Sequence, residues 1–472
     1  IIEKILAIKG GTINLTVGVI KEIPICIRFK EKVEGISKFC LDIYDEYWAF
    51  LEGSFDFNCP FLWRNKSDLP LEEVFNAFKN TWSEKFFQLH AKEEELNRIF
   101  IEIYGLEEEL TPEVDLQDIT ILQQELGKQY HFSPESYEKM SVDEEILAQV
   151  RRLEGQRFAS TTALNKALKT LLDKEQLKAA KTDIANSTAT RLDAAGKLIF
   201  DDQEVVRQLI SYAVGCMFGR YSLDQPGLIL ANQGEGLEEY VAQLDLAGFE
   251  NLRGLSGEST TPDPAQELPG HPRERGRFMP DDDNIIPVLA GDYFDDDIVA
   301  RFKEWLRVAF GEAHYAQNLA FIETALGQDL RRYFVRDFYE DHLRRYQKRP
   351  IYWLFSSPDK GFQALVYLHR YRPDTLSRLL NEYLREFQVK LKAQDRSLAQ
   401  VAVMESTSAT EKNRAQKQRD LIARQLHELE AYERDHLYPL ATQRIELDLD
   451  DGVKVNYGKL GRVLYPVKGL NK

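Results

Sequence analysis

The feature that most constrains the fold of this chain is a series of long segments in which apolar residues recur at helical spacing. Val74, Phe78, Trp82 and Phe86 follow one another at intervals of four, so they lie on one face of a predicted helix. Gly105 follows this stretch and is a typical helix stop. Comparable patterns predict helix over 71–104, 141–197, 204–219, 297–347 and 376–436, the last with a break near 406–408.

Patterns typical of β-strands are confined to short runs. They occur at 12–17, 23–27 and 351–355, and Asp451-Gly452 within 445–457 predicts a hairpin. A few short strands cannot bury a core alone, so the helices must supply most of it. We therefore expect an α+β chain that is mainly helical and multi-domain, with small β elements and no Rossmann domain.

The length of 472 residues corresponds to roughly three domains. Nine glycines and prolines in 251–284 predict a long loop there. We expect four regions: the end of a preceding region at 1–30, a helical connector at 31–150, a helical middle domain with the loop at 151–285, and a C-terminal domain at 286–472.

Several classes of protein are excluded by missing motifs. No apolar run approaches the roughly 18 residues that a membrane helix needs. The first residues do not show the pattern of a signal peptide, so we expect none. The four cysteines are far apart and no His-x-x-x-His pair occurs, which argues against disulfides and a helical metal site. P-loop and Gly-x-Ser-x-Gly motifs are also absent. We expect a cytoplasmic protein that holds no metal.

The charge of the chain is uneven. Its formal net charge is -16, yet residues 331–372 contain ten Lys and Arg against four Asp and Glu, with aromatic residues between them. Guanidinium groups suit phosphates and aromatic rings can stack on bases, so this stretch is our candidate for binding DNA. The alternative is a surface helix whose arginines pair with acidic residues upstream. The candidate side chains are Arg331, Arg332, Arg336, Arg344, Arg345, Lys348, Arg349, Tyr352, Lys360 and Arg370.

A second group of cations lies on one predicted helix face, at Lys174, Lys178 and Lys181. Two interpretations stay open for these lysines. They form either a solvated helix face or a stripe that follows the phosphates of a nucleic acid.

A set of short segments is spread over nearly the whole chain. The segments are 12–18 (TINLTVG) with 23–24, 94–106 (EELNRIFIEIYGL), 110–114 (LTPEV), 214–224 (VGCMFGRYSLD), 283–287 (DNIIP), 349–357 (RPIYWLFSS), 361–371 (GFQALVYLHRY) and 450–457 (DDGVKVNY). In sequence and in order they resemble segments of the PglX-type enzymes, the adenine-specific DNA methyltransferases of the BREX phage-defence systems.

The resemblance implies methylation of adenine N6 with S-adenosyl-L-methionine, by a family whose catalytic half carries an Asn-Pro-Pro-Tyr motif and flips the target base. This sequence contains no Asn-Pro and no Pro-Pro. We therefore expect the catalytic, Rossmann-type half upstream of Ile1, with no catalytic residue and no cofactor site in this chain.

The chain itself would then supply DNA recognition for a site-specific enzyme related to restriction-modification methyltransferases. Its expected partners are double-stranded DNA and other BREX defence proteins, with no membrane. The alternative is a helical scaffold that contacts other defence proteins without binding DNA.

Overall fold

The computed structural model describes residues 30–54, 57–60, 62, 69–244, 277–404 and 408–470. These residues form two compact units. The first comprises the described residues up to 49 together with 75–205, and the second those between 50 and 74 together with 206–470. The expectations for 1–29 and for most of the Gly/Pro-rich loop, up to 276, lie outside the described residues.

The first unit is built on two long helices followed by several short elements. Its elements are α1 (Lys30–Trp48), α2 (Leu71–Tyr104), β1 (Gln129–His131), α3 (Pro134–Glu138), α4 (Glu144–Val150), β2 (Arg157–Phe158), α5 (Thr161–Leu168), α6 (Lys174–Thr188) and β3 (Ala189–Thr190). Helix α2 matches the predicted segment at both ends, and Gly105 follows it with a φ of 62°. Phe78, Trp82 and Phe86 are fully buried, as the periodicity predicts.

The short elements of the first unit share a core of their own. Strands β2, β1 and β3 form a small antiparallel sheet in that order. Helices α3 to α6 enclose a cluster that includes Phe132, Val150, Leu164 and Ile184, all of them fully buried.

The second unit combines helices with a buried sheet. Its elements are α7 (Asp202–Met217), α8 (Leu237–Gln243), β4 (Ile285–Pro287), α9 (Ile298–Phe310), α10 (Tyr315–Leu326), α11 (Leu330–Arg336), α12 (Phe338–Arg345), β5 (Tyr352–Ser356), β6 (Gln363–Tyr367), α13 (Thr375–Arg378), α14 (Arg385–Val403), α15 (Ala409–Tyr432), α16 (Tyr438–Ala441) and α17 (Val453–Leu460). The sheet is antiparallel in the order β4-β6-β5, and Trp353 faces Val366 across it. All residues of its strands are buried, so the sheet is an interior layer.

The predicted break in the C-terminal helical segment is confirmed. Helix α14 ends at Val403, and α15 begins at Ala409 after Ser408, whose side chain accepts a hydrogen bond from the backbone of Glu411. Ala415, Ile422 and Leu429 lie seven residues apart in α15 and are buried. This spacing is typical of two helices packed side by side, and α14 and α15 pack against each other.

The predicted hairpin at 445–457 is wrong. Gly452 has a φ of 80° but precedes helix α17 instead of joining two strands. The Asn456 side chain accepts a hydrogen bond from the Asp448 backbone and donates one to the carbonyl of Gly452, which fixes the start of the helix. Tyr457 is buried against Trp353, with 5.1 Å between ring centroids, so tertiary packing decides the helical outcome.

The mainly helical α+β fold is confirmed, with two small three-stranded sheets. Both sheets are antiparallel, so the described residues contain no Rossmann-type parallel sheet. No described helix is both long and apolar enough to cross a membrane. The four predicted sequence regions remain a prediction.

Candidate nucleic-acid interface

Residues 331–372, here called the cationic strip, run through α11, α12, β5 and β6 of the second unit. The strip therefore includes two helices, α11 and α12, and two strands of the buried sheet. Its candidate residues divide into four that are buried or mostly buried and six that are exposed.

Arg331 is held by the acidic loop that precedes α9. Its guanidinium donates to the carbonyls of Leu289 and Gly291 at 2.8 and 3.2 Å and to the Asp297 carboxylate at 2.7 Å. It also pairs with Asp292. The Asp297 side chain is only 1% exposed and caps the N-terminus of α9. Arg331 is therefore engaged in contacts within the unit. This agrees with the alternative interpretation, in which arginines of the strip pair with acidic residues upstream.

Arg345 lies beside a buried carboxylate. Glu52 accepts hydrogen bonds from Ser211 at 2.5 Å, Tyr346 at 2.8 Å and Tyr221 at 3.3 Å, and the Nε atom of Arg345 is 3.7 Å from it. The side chain of Arg345 is 11% exposed. Sequence reasoning did not find Glu52, because almost 300 residues separate it from the strip.

Arg370 and Tyr352 complete the buried group. The Arg370 guanidinium donates to the carbonyls of Phe218 and Asp282, both at 3.3 Å, and burial lowers its pKa. The Tyr352 ring stacks on Phe218 and His342, with centroids 5.1 and 4.9 Å apart. Burial raises the pKa of the Tyr352 hydroxyl well above its ordinary value. Both side chains are engaged in contacts within the second unit.

Most other aromatic residues of the strip also face inward. Tyr333, Phe334, Tyr339, Trp353 and Tyr367 are buried. These rings form the core under α11, α12 and the sheet. They are therefore not available in this structure as a platform for stacking bases.

The exposed group of the strip consists of six cations. Arg332 and Arg336 lie one turn apart on α11, and Arg344 is near the end of α12. The side chain of Arg344 is 58% exposed although Asp341 is 3.1 Å away. The six are Arg332, Arg336, Arg344, Lys348, Arg349 and Lys360. Among the described residues, no ion pair involves Arg332, Arg336, Lys348 or Arg349.

A left-handed turn after α12 places two of these cations. Gln347 and Lys348 have φ angles of 50° and 61°, which is unusual for side chains other than glycine. The Lys348 amide donates to the carbonyl of Leu343 at 2.7 Å and so ends the helix. Pro350 follows, and the chain enters β5, which leaves Lys348 and Arg349 exposed at the corner.

An open groove of about 610 Å³ lies beside this turn, lined by Glu340, Arg344, Gln347, Lys348 and Lys468 among others. Sequence reasoning missed Lys468, because it is 120 residues beyond Lys348. The C-terminal segment is held next to α12, since the Tyr465 hydroxyl donates to Glu340 at 2.7 Å. Three cations and one carboxylate thus surround the groove, which favours an anionic ligand.

A second cavity in this unit, about 420 Å³, has the opposite balance. Arg370, Arg372 and Arg378 line it together with six carboxylates. The pKa of the neighbouring Asp281 is raised, because the residue is buried and lies next to Asp283. This excess of acid disfavours a phosphate backbone. The described residues also contain no group of three or more His, Cys, Asp and Glu able to hold a metal.

Two known proteins are similar to this chain over almost all of its length. It is 30% identical over 475 residues to the adenine-specific methyltransferase BrxX of Escherichia coli O9:H4 (strain HS), which covers 97% of the chain and 31% of that protein. It is 28% identical over 483 residues to the adenine-specific methyltransferase PglX of Lacticaseibacillus casei (strain Zhang), which covers 98% of the chain and 31% of that protein.

No family model matches the sequence. The chain spans about a third of the length of the two relatives. It is therefore related to one part of the BrxX and PglX adenine-specific methyltransferases.

Proposed function

We propose that this chain is the DNA-recognition, C-terminal portion of a site-specific adenine-N6 DNA methyltransferase that acts in BREX phage defence. The observation that carries this function is the similarity to BrxX and PglX over 97% and 98% of the chain. S-adenosyl-L-methionine and the catalytic residues would belong to the rest of the enzyme, since the sequence here lacks the Asn-Pro-Pro-Tyr motif.

The exposed cations of the strip would hold the phosphate backbone of the duplex. Arg344, Lys348 and Arg349 lie close together in sequence around the left-handed turn and are all exposed. Contacts to phosphates set the position and register of a protein on DNA, whereas contacts to base edges choose the sequence. The six exposed cations therefore supply affinity and orientation.

The turn that carries these cations is held by its own backbone, and helix α12 before it is held by the C-terminal segment. Leu343 anchors it through the backbone bond to Lys348, and the Tyr465 ring packs edge-on against Tyr339 of α12 with centroids 5.2 Å apart. The Lys360 ammonium lies 5.0 Å from the Tyr465 ring centroid. Cations on a braced scaffold lose less conformational freedom when they bind, so this turn is suited to a phosphate contact.

The test is binding of the chain to a fluorescein-labelled duplex, measured by anisotropy at low and moderate salt. We expect the R344A/K348A/R349A variant to bind more weakly and with a salt dependence lower by about 3, about 1 for each phosphate contact removed. The control variant R396A/R414A/K417A removes three exposed cations from α14 and α15 of the same unit. Equal losses in both variants would show non-specific electrostatic attraction and contradict the assignment of the strip.

The scaffold alternative has one observation in its favour. Helices α14 and α15 expose the apolar side chains of Val389, Val403 and Leu421, and Met404 directly after α14 is exposed as well. Exposed apolar groups of this kind can contact another protein. If the chain shows no duplex binding at low salt, the scaffold function replaces DNA recognition.

A further inference from the structure

A second candidate for DNA binding lies in the first unit and does not use the cationic strip. Helices α5 and α6 are joined by the short turn 169–172. Ser160 caps α5 by accepting a hydrogen bond from Ala163, and Asp173 caps α6 by accepting from Glu175 and Gln176. Two capped helices that follow one another after a turn of this length match the sequence layout of a helix-turn-helix.

The inner faces of both helices are fixed by the core. Leu164 and Leu168 of α5 and Ala180 and Ile184 of α6 are buried in the cluster that also contains Val150. Residues four apart lie on one face, so these positions define which side of α6 points inward. The opposite side of α6 is consequently presented to solvent.

A β-hairpin follows α6 directly. The chain passes through β3, Leu192 pairs antiparallel with Leu198, and Gly196 makes the turn with a φ of 75°. The Asp193 carboxylate accepts hydrogen bonds from the backbones of Ala195 and Lys197 and so holds the turn. The order helix, turn, helix, hairpin is that of winged helix-turn-helix DNA-binding modules, in which the second helix enters the major groove.

The outer face of α6 carries the chemistry that such a helix needs. Lys174, Lys178 and Lys181 are exposed, and among the described residues none of them takes part in an ion pair. Thr182 and Asn186 are exposed as well and can exchange hydrogen bonds with base edges.

The surrounding segment is also cationic. Residues 151–200 contain ten Lys and Arg against five Asp and Glu, in a chain whose net charge is -16. The Asp183 carboxylate of α6 accepts a hydrogen bond from the Ser141 backbone at 2.9 Å, so this acid is directed towards the protein. The charge of the lysine face is therefore only partly offset by its own helix.

We infer that α6 is the recognition helix of a second duplex-DNA-binding element, with Lys174, Lys178 and Lys181 on the phosphates. Of the two interpretations of these lysines, a solvated face requires no particular topology. The helix-turn-helix and the following hairpin, in contrast, are the scaffold on which a phosphate-binding helix is expected.

The test uses the whole chain and a labelled duplex of random sequence. For K174Q/K178Q/K181Q we expect at least about tenfold weaker binding at low salt and a salt dependence lower by about 3. The arginine variant K174R/K178R/K181R keeps the charges and should bind like the unmodified chain. A control, K38Q/R98Q/K128Q, removes three exposed cations of the same unit that are not on α5, α6 or the hairpin, and it should have little effect.

Unchanged binding in K174Q/K178Q/K181Q, or a loss no larger than that of K38Q/R98Q/K128Q, would overturn the inference. Tighter binding of the unmodified chain to duplex RNA than to duplex DNA would also overturn it. The two surfaces can be tested separately. If only R344A/K348A/R349A binds more weakly, the strip contacts DNA, α6 does not, and the proposed function stands. If only K174Q/K178Q/K181Q binds more weakly, α6 contacts DNA and the strip does not.

Discussion

The cationic strip and the lysine face of α6 differ widely in their number of cations in the sequence, but less in the number of cations that the structure exposes. The strip has a local charge of +6 from ten cations and four acids, whereas α6 contributes only three lysines on one face. In the structure, Arg331, Arg345 and Arg370 of the strip are engaged inside the second unit, but all three lysines of α6 are exposed. Charge density along a sequence therefore overstates the charge available at a surface.

At constant pH, the largest expected effect concerns the difference between buried and exposed cations within the strip. Arg331→Ala should lower the free energy of unfolding by about 2–3 kcal/mol, because the buried Asp297 carboxylate loses its ion pair. Its neighbour Arg332 is exposed, and Arg332→Ala should change the stability by less than about 0.5 kcal/mol. Urea unfolding of both variants is the measurement. Equal effects would mean that the division of the strip is wrong.

The next prediction tests whether the imidazole of His342, in the interior of the strip, is buried and uncharged. Burial, with help from the nearby Arg345 and Arg220, lowers the pKa of His342 to about 3. The unfolded chain has a value near 6.5, so it binds the proton more tightly than the folded chain does. The stabilisation from His342 is therefore complete above about pH 6.5 and is lost as the pH falls towards 3, by up to about 1.4 kcal/mol per pH unit.

The contribution of His342 can be measured by comparing the variants His342→Gln and His427→Gln. His342 accepts a hydrogen bond from the Tyr352 backbone at 3.2 Å, whereas His427 is exposed on α15. Between about pH 4 and 7, the free energy of unfolding of His342→Gln should depend less on pH than that of the unmodified chain. The pH dependence of His427→Gln should equal that of the unmodified chain. A dependence in His342→Gln as steep as in the unmodified chain would contradict a buried, neutral imidazole.

The smallest effect concerns the capping of the lysine helix. Asp173→Ala should destabilise the first unit by about 1 kcal/mol, because two amides at the start of α6 lose their acceptor. Asp143 occupies the same position before α4 but makes no side-chain capping bond, so Asp143→Ala should cost less than about 0.5 kcal/mol. Thermal unfolding of the two variants distinguishes them, and a reversed order would contradict the described caps.

Elements set by local pattern could be predicted from the sequence. Helix α2 was found with both of its ends because the apolar spacing is long and Gly105 stops it. The aromatic run at 351–355 became the buried strand β5, and the break after Val403 was found as well. In each of these cases the signal lies within a few residues of the element itself.

Features set by distant partners could not be predicted. Asp297 lies 34 residues from Arg331, and Glu52 is farther still from Arg345, so no window of sequence shows that these arginines are engaged. The prediction of a hairpin around Gly452 failed for the same reason, because Tyr457 packs against Trp353 of the distant strand β5 and this packing favours a helix. The arrangement of α5 and α6 could not be predicted, because the pattern indicates helix over 141–197 without showing the turn at 169–172 or the short strands β2 and β3.

The most direct test of DNA recognition is a titration of the unmodified chain with duplex DNA at about 50 and 200 mM salt. We predict measurable binding at the lower concentration and a loss of affinity of several tenfold steps at the higher one, because each phosphate contact releases counterions. Absence of binding at the lower concentration would contradict the account, because neither the strip nor the lysine face would then contact a phosphate backbone.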